Sequence, residues 1–185
     1  MAESVLFVPE CNVDTALALS LVSYRHTFVS HRQGIGQVAR VLEAQRQASR
    51  DGRRIVGLVD DDKKFKQAPA LAEFTTIVRG GTAQDGQPHC IRQHPQQPNQ
   101  YLIVLNPACD TWLFRAAQEV GIALLELGIP ADLPGFIDFC KQQNVEETQP
   151  MRRLLRAIQQ AQPAAYRELA EFVADTMDTA PARWP

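Results

Sequence analysis

The chain has 185 residues, of which 45% are hydrophobic and 22% are charged, and its formal net charge is −2. These values are typical of one globular domain with its own apolar core. The slightly acidic balance argues against broad, non-specific binding to nucleic acid, which needs a basic surface. The four cysteines form no C-x-x-C pair, and no segment reaches the ~18 apolar residues of a membrane span. We therefore expect a cytoplasmic protein with reduced thiols and no membrane partner.

Short strands and helices alternate in the first part of the chain. Residues 5–8 and 27–30 are predicted strands, and each precedes a helix, the first capped by Asn12 and the second covering about residues 37–48. Residues 55–59 are a continuous run of apolar residues and glycine, which is typical of a central strand in a parallel sheet. This alternation predicts an α/β fold with a central, mostly parallel sheet.

Strand character returns after residue 66, with predicted strands over residues 75–79, 89–92 and 101–105. The first two are separated by a glycine-rich turn and are expected to pair as antiparallel strands. Residues 93–100 contain four glutamines and two prolines, which predicts an exposed loop. His89 and His94 have no partner at metal-ligand spacing and are therefore expected at the surface.

The remaining residues are mostly predicted helices, over about 110–120, 133–141, 148–160 and 163–177. Residues 121–128 form either the end of the first of these helices or a last strand. Arg152, Arg153 and Arg156 cluster near the start of the third helix. Arginines on a helix usually form a solvated face, but this group is the best basic candidate for a phosphate contact.

Three consecutive carboxylates follow the strand over residues 55–59. Asp60, Asp61 and Asp62 stand at its carboxyl end, where ligands bind in open α/β sheets. Side chains at i and i+2 leave an extended chain on the same side, so Asp60 and Asp62 are predicted to converge while Asp61 turns away. Carboxylates held that close repel unless a cation or a proton lies between them, and hard oxygen ligands favour Mg²⁺ or Mn²⁺. The alternative is a solvated acidic turn that Lys63 and Lys64 neutralise.

Three more acids stand near the ends of predicted strands. Glu10 directly follows the first strand, and Asp14, four residues later, can face the same cleft. The helix dipole favours a carboxylate in the first turn, and this is by itself a sufficient reason for Asp14. Asp110 begins a helix just past the strand over residues 101–105, so it can reach the cleft of Asp60 and Asp62.

A glycine-containing turn, Gly34-Ile-Gly36, opens the second predicted helix. Such a turn can present backbone N–H groups to an anion. The dinucleotide fingerprint requires a third glycine, and Ala39 stands at that position. A phospho-ligand binder that uses this turn is one functional hypothesis. His31, in the same turn, is interpreted as an ordinary loop histidine.

The order of these motifs resembles the Toprim domain, the metal-binding α/β module of topoisomerases, bacterial primases and OLD-family nucleases. That family places a glutamate after its first strand, often as Glu-Gly-x-x-Asp, and an Asp-x-Asp after its third. Glu10-Cys-Asn-Val-Asp14 and Asp60-Asp61-Asp62 occupy those places here. The segment Asn106-Pro-Ala-Cys-Asp110-Thr-Trp112 is also similar to the Asn-Pro-x-x-Glu-x-Trp stretch of small stand-alone Toprim-like bacterial proteins, such as the RloB-like group. Cys11 replaces the usual glycine, and Asp110 replaces the glutamate.

The resemblance covers about residues 4–120 and implies a three-layer, Toprim/Rossmann-like fold. A helical extension over about 132–177 follows this core, and the two parts are expected to form a single domain of residues 1–185. It implies that Asp60 and Asp62 hold one or two Mg²⁺ ions and that Glu10 acts as a ligand or as a general base. Lys63 or Lys64 would then offset phosphate charge.

Two functions follow from the resemblance. The first is Mg²⁺-dependent phosphoryl transfer on nucleic acid, in particular by a nuclease. The second is a catalytically inactive Toprim-like subunit that binds a protein partner or regulates it, for example in a defence system. The missing glycine, the acidic balance and the lack of an evident tyrosine nucleophile favour the second.

Overall fold

The computed structural model describes residues 5–22, 27–30, 34–48, 54–62 and 65–177. The strands, numbered in chain order, are β1 (Val5–Pro9), β2 (Thr27–Val29), β3 (Arg54–Asp60), β4 (Thr76–Gly80), β5 (His89–His94) and β6 (Gln97–Leu105). The α-helices are α1 (Asn12–Leu21), α2 (Ile35–Ala48), α3 (Pro69–Ala72), α4 (Cys109–Glu119), α5 (Leu133–Cys140), α6 (Gln149–Ala161) and α7 (Ala164–Met177). Short 3₁₀ turns cover Phe65–Gln67, Ala83–Asp85, Leu124–Leu127 and Val145–Glu147.

The strands form one mixed sheet in the order β2-β1-β3-β6-β5-β4. The central strand β3 runs parallel to β1 on one side and to β6 on the other, and β2 is parallel to β1. β5 and β4 continue the sheet beyond β6 in antiparallel order. The predicted α/β class with a parallel centre is confirmed, and so is the predicted β4–β5 hairpin. The carboxyl ends of β1, β3 and β6 meet at one edge of the sheet.

Helices cover both faces of the central strands, because successive side chains of β3 pack alternately against two different sets of helices. Val56 and Leu58 belong to an apolar cluster with the buried side chains of α1, α4, α5, α6 and α7. Ile55 and Val59 belong to a second cluster with those of α2 and α3. Successive side chains of a strand point to opposite faces. A strand that is covered on both faces is therefore apolar throughout, and this explains the continuous apolar run.

The C-terminal helices share the core of the first cluster. Phe136 of α5, Leu154 of α6 and Leu169 of α7 are fully buried in that cluster. The hydroxyl of Tyr166 in α7 donates a hydrogen bond of 2.9 Å to the backbone oxygen of Ser20 in α1. The region outside the Toprim resemblance therefore packs against the helix that follows β1. Among the described helices, none combines the length and the apolar character that crossing a bilayer would require.

The predicted exposed loop over residues 93–100 is wrong, because β5 continues to His94 and β6 begins at Gln97. Two polar side chains in this hairpin, those of His94 and Gln100, are buried with partners, whereas Pro95, Gln96 and Pro98 are exposed. His94 Nε2 lies 3.2 Å from Glu73 Oε2, and Gln100 Nε2 donates to Leu42 O at 3.0 Å. Buried polar groups are normally satisfied in this way, so a polar composition did not mean an exposed segment.

The surface position expected for His89 and His94 is also wrong, since they are 0% and 4% exposed. His89 Nε2 lies 3.3 Å from a carboxylate oxygen of Glu168 in α7. Residues 121–128 contain a 3₁₀ turn rather than a last strand. The N-cap of α1 is Cys11, not Asn12.

Gly57 in the middle of β3 lets α2 and β6 approach the strand closely. A Cβ atom there would lie 2.9 Å from Leu102 Cδ1, 3.1 Å from Leu42 Cδ1 and 3.3 Å from Val38 Cγ1. These three atoms belong to the second apolar cluster, so a side chain at position 57 would have to displace packed neighbours.

Gly57→Val should lower the free energy of unfolding by about 1–3 kcal/mol, the usual cost of overpacking a core. Urea denaturation followed by circular dichroism measures this difference. Gly36→Ala is the matched control, because no atom lies within 4 Å of a Cβ at position 36, inside α2. That control should be neutral or more stable by up to about 1 kcal/mol. If Gly57→Val unfolded at the same urea concentration as the wild type, the close packing of α2 on β3 would be contradicted.

Candidate metal centre

Three carboxylates converge where β1 and β3 end. Glu10 follows β1, Asp14 lies in the first turn of α1, and Asp60 is the last residue of β3. One oxygen of each side chain lies within 4.8 Å of the others, and we call these residues the acidic triad. The parallel register explains the approach, since Glu10 N donates to Leu58 O at 3.0 Å and so places Glu10 beside the end of β3.

Asp14 is the most deeply buried member of the triad, with 0% exposure. Its Oδ2 accepts a hydrogen bond of 3.1 Å from the backbone N–H of Cys11, which closes the first turn of α1. Its Oδ1 is buried without a hydrogen-bond partner. A buried carboxylate oxygen is costly to leave in that state unless a proton or a cation neutralises it. This atom is the feature of the triad that fits a bound cation.

Asp60 is held by the start of α4. The backbone N–H of Cys109, the first residue of that helix, donates to Asp60 Oδ1 at 2.8 Å. A helix N-terminus favours negative charge, so α4 stabilises the ionised form of Asp60. The Asp60 N–H also lies 3.5 Å from Glu10 Oε2, a long contact that links the ends of the two strands.

Burial and mutual repulsion make the triad bind protons strongly. Burial raises the pKa of Asp14 to about 7, and the negative charge of Glu10 adds to the effect. Burial raises the pKa of Asp60 to about 9, and the charge of Asp14 contributes, whereas the Cys109 N–H acts in the opposite direction. A metal-free triad therefore retains protons at neutral pH, and a divalent cation would have to displace them.

Two thiols, those of Cys11 and Cys109, lie beside the triad. Burial raises the pKa of both above the ordinary value for cysteine, and the nearby carboxylates raise it further. In the metal-free protein both thiols are therefore neutral at physiological pH and are poor nucleophiles.

Two residues of the triad, Glu10 and Asp60, line a cleft of about 460 Å³. Glu10, Asp60 and Asp110 line one part of it, together with Gly34 before α2. Cys140, Lys141 and Gln142, at the end of α5, line another part. Carboxylates at the carboxyl ends of parallel strands, next to a solvent-accessible cleft, form the kind of site at which open α/β sheets bind ligands.

Comparison with protein-family models, with curated proteins and with solved structures gives no match for this chain.

Asp62 does not join the acidic triad, and Asp14 takes the place that the sequence assigned to it. β3 ends at Asp60, so the alternation of side chains along a strand does not extend to Asp62. Its Oδ1 instead accepts a hydrogen bond of 3.0 Å from the backbone N–H of Phe65. Asp62 thereby closes the turn that leaves the strand.

Asp110 lines the cleft but lies outside the triad. Its Oδ1 accepts a hydrogen bond of 3.0 Å from the Thr111 hydroxyl, so this oxygen is turned back towards its own helix. The other sequence candidates, Lys63, Lys64 and His31, lie outside the described residues. Arg152, Arg153 and Arg156 are exposed on α6 and are not part of the described cleft lining.

The backbone of Gly34 supports the candidate site. Gly34 has a φ of +91°, a conformation that glycine adopts without strain, and its N–H donates to Glu10 O at 3.0 Å. That N–H is therefore not available to a phosphate. The turn fixes the backbone of Glu10 between β1 and α2.

Lys141 is the cleft residue that the sequence did not indicate. No motif surrounds it, and an isolated lysine at the end of an amphipathic helix is an ordinary surface feature. Its position depends on how α5 packs on α4, and this long-range contact leaves no local pattern in the sequence.

Metal-free protein should lose stability as the pH rises from about 6 to about 9. The folded-state pKa values of Asp14 and Asp60 lie above the ordinary value of 3.8, so the folded chain binds more protons than the unfolded chain in this range. Stability falls with pH wherever the folded state binds more protons. Thermal unfolding in a metal chelator should therefore give a lower Tm at pH 9 than at pH 6.

The control compares two aspartate variants. Asp14→Asn should reduce the Tm difference between pH 6 and pH 9, because the amide of asparagine does not titrate in this pH range. Asp138→Asn, at a carboxylate that is 80% exposed on α5, should leave it unchanged. A Tm difference as large in Asp14→Asn as in the wild type would show that Asp14 does not carry the proton.

Proposed function

We propose that this chain is a Toprim-like protein that binds Mg²⁺ or Mn²⁺ and hydrolyses phosphodiester bonds in nucleic acid, as a nuclease. The observation that carries the proposal is the acidic triad, in which one oxygen of each of Glu10, Asp14 and Asp60 lies within 4.8 Å of the others. The buried Asp14 Oδ1, which has no hydrogen-bond partner, adds a second observation that favours a cation. Carboxylate oxygens are the ligands that Mg²⁺ and Mn²⁺ prefer.

The fold supports the Toprim resemblance in two ways. A glutamate follows the first strand and an aspartate ends the third, with α1, β2 and α2 between them. Helices pack on both faces of a sheet with a parallel centre, which favours a three-layer, Toprim/Rossmann-like arrangement.

The residues of the triad suit different chemical roles because their side chains are buried to different extents. Asp14 and Asp60 are held by the N–H groups of Cys11 and Cys109, so they are fixed in position to hold a cation. A Mg²⁺ ion bound there would polarise a phosphoryl oxygen and lower the pKa of the attacking water. Glu10 lines the cleft and can act as a ligand or accept a proton from that water as a general base.

The second candidate function is a catalytically inactive Toprim-like subunit that binds a protein partner or nucleic acid. The raised pKa values of Asp14 and Asp60 favour it, because protons alone can neutralise the triad. The described tyrosines also act elsewhere. Tyr101 packs against Phe172 with ring centroids 5.3 Å apart, and Tyr166 bonds to Ser20. Neither is placed to act as a nucleophile in the cleft.

Metal titration by calorimetry tests the triad directly. The wild type should bind Mn²⁺ or Mg²⁺ stoichiometrically, and Asp60→Ala and Asp14→Asn should each weaken binding by more than about tenfold, a loss that even outer-shell partners of a metal can cause. Asp62→Asn is the matched control and should bind normally. If Asp62→Asn lost binding while Asp14→Asn retained it, the ligand pair predicted from the sequence would replace the triad.

Asp60→Ala should also abolish cleavage of nucleic acid. The assay follows single- and double-stranded DNA and RNA with Mg²⁺ or Mn²⁺, with Glu43→Gln, at an exposed position on α2 outside the described cleft lining, as the folded control that keeps the wild-type rate. Cleavage by Asp60→Ala at the wild-type rate would refute the nuclease proposal. A wild type that binds metal but cleaves none of these substrates would favour the inactive subunit.

A further inference from the structure

We infer that Lys141 binds a backbone phosphate of the nucleic acid in the cleft, as a positioning residue supplied by the C-terminal part of the chain. This inference rests on the proposed function and goes beyond it, since it assigns the substrate-binding side of the same cleft. The observation that points to it is the position of Lys141 and Gln142 in the lining of the cleft that contains Glu10 and Asp60.

The backbone of Lys141 is firmly anchored. α5 buries Phe136, Phe139 and Cys140, and the ring of Phe136 packs against that of Phe114 in α4 with centroids 5.4 Å apart. The N–H of Lys141 donates to Ile137 O at 3.1 Å, which completes the last turn of the helix. Because α4 also donates the Cys109 N–H to Asp60, the same helix positions both the triad and Lys141.

The side chain of Lys141, in contrast, is easily recruited by a ligand. It is 69% exposed, and its Nζ lies 3.6 Å from Asp138 Oδ1, on a side chain that is 80% exposed. Ion pairs between exposed side chains contribute little stability. Exchanging this partner for a phosphate oxygen therefore costs little, and the flexible stem of a lysine allows the movement.

The charges of the cleft indicate the class of ligand. Lys141 is the one cationic side chain among the described residues that line the cleft, and it stands with the carboxylates of Glu10, Asp60 and Asp110. Carboxylates alone would repel a phosphodiester. A cation in the triad would neutralise part of their charge, and an ammonium group would provide charge-assisted hydrogen bonds to a further phosphate oxygen. A nucleic-acid backbone satisfies both requirements because it carries one negative charge per phosphate.

The test measures the binding of a labelled single-stranded oligonucleotide by fluorescence anisotropy, with Ca²⁺ as another cation that prefers oxygen ligands. Lys141→Gln should weaken binding about tenfold, near the lower limit for a hydrogen bond to a charged group. The slope of log K against log salt should become less steep by about 0.7, the value for one phosphate contact on a single strand. Lys141→Arg should restore both quantities.

Arg167→Gln is the matched control, since it changes the net charge equally at an exposed position on α7 outside the described cleft lining. It should bind like the wild type, with the same salt slope. In cleavage assays with Mg²⁺, Lys141→Gln should raise KM and leave kcat nearly unchanged, because it loses a contact made equally in the ground state and the transition state. Metal titration of Lys141→Gln should match that of the wild type.

The possible outcomes separate this inference from the proposed function. If the wild type binds the oligonucleotide and Lys141→Gln binds it equally well with an unchanged salt slope, the phosphate role is wrong and the proposed function stands. If the wild type binds the oligonucleotide without cleaving it, the nuclease proposal fails and anisotropy alone decides the role of Lys141. If the wild type binds metal but no oligonucleotide, the phosphate role of Lys141 is wrong, and the cleavage assay on single- and double-stranded DNA and RNA still decides the nuclease proposal.

Discussion

The parallel pairing of β1 with β3 is the constraint on which the candidate site depends. It sets Pro9 opposite Leu58, so that the chain leaves β1 at Glu10 beside the place where β3 ends at Asp60. A shift of one residue would turn the side chains of β3 to the opposite faces of the sheet, and the apolar run would no longer fit both clusters. The burial of Val56 and Leu58 on one face and Ile55 and Val59 on the other therefore also fixes the position of the carboxylates.

At this edge of the sheet, like charges lie close enough to repel one another. Three carboxylates share a largely buried corner, and the groups that support them are backbone N–H groups from Cys11 and Cys109, which carry only partial charge. Sequences that specify a fold usually avoid such arrangements, and the exceptions are concentrated at functional sites. The repulsion is reduced by a proton or a cation, so the stability of this corner is coupled to what it binds.

The sequence predicted the parts of the molecule that depend on local pattern. The apolar run that became β3 was recognised as a central strand, and Glu10 and Asp60 followed from their places after strands. Asp14 has an adequate local explanation in the helix dipole, and only the packing of α1 reveals that it is fully buried. Asp62 lies outside the triad because β3 ends two residues earlier, and pattern alone does not locate that boundary. The local sequence predicts a loop at Gln100. Its side chain is buried instead because its partner, Leu42 O, comes from α2, far away in the sequence.

The burial of α1 against the last helices also affects how the protein is made. α1, which carries Asp14, leaves the ribosome before α6 and α7, and α7 contains the Tyr166 that bonds to Ser20. Until then the side of α1 that packs against these helices has no permanent cover, a condition in which nascent chains are prone to associate. Contacts between the two ends of a chain also slow folding, because the ends must find each other first. The core that buries α1 is therefore completed only after α6 and α7 have been synthesised.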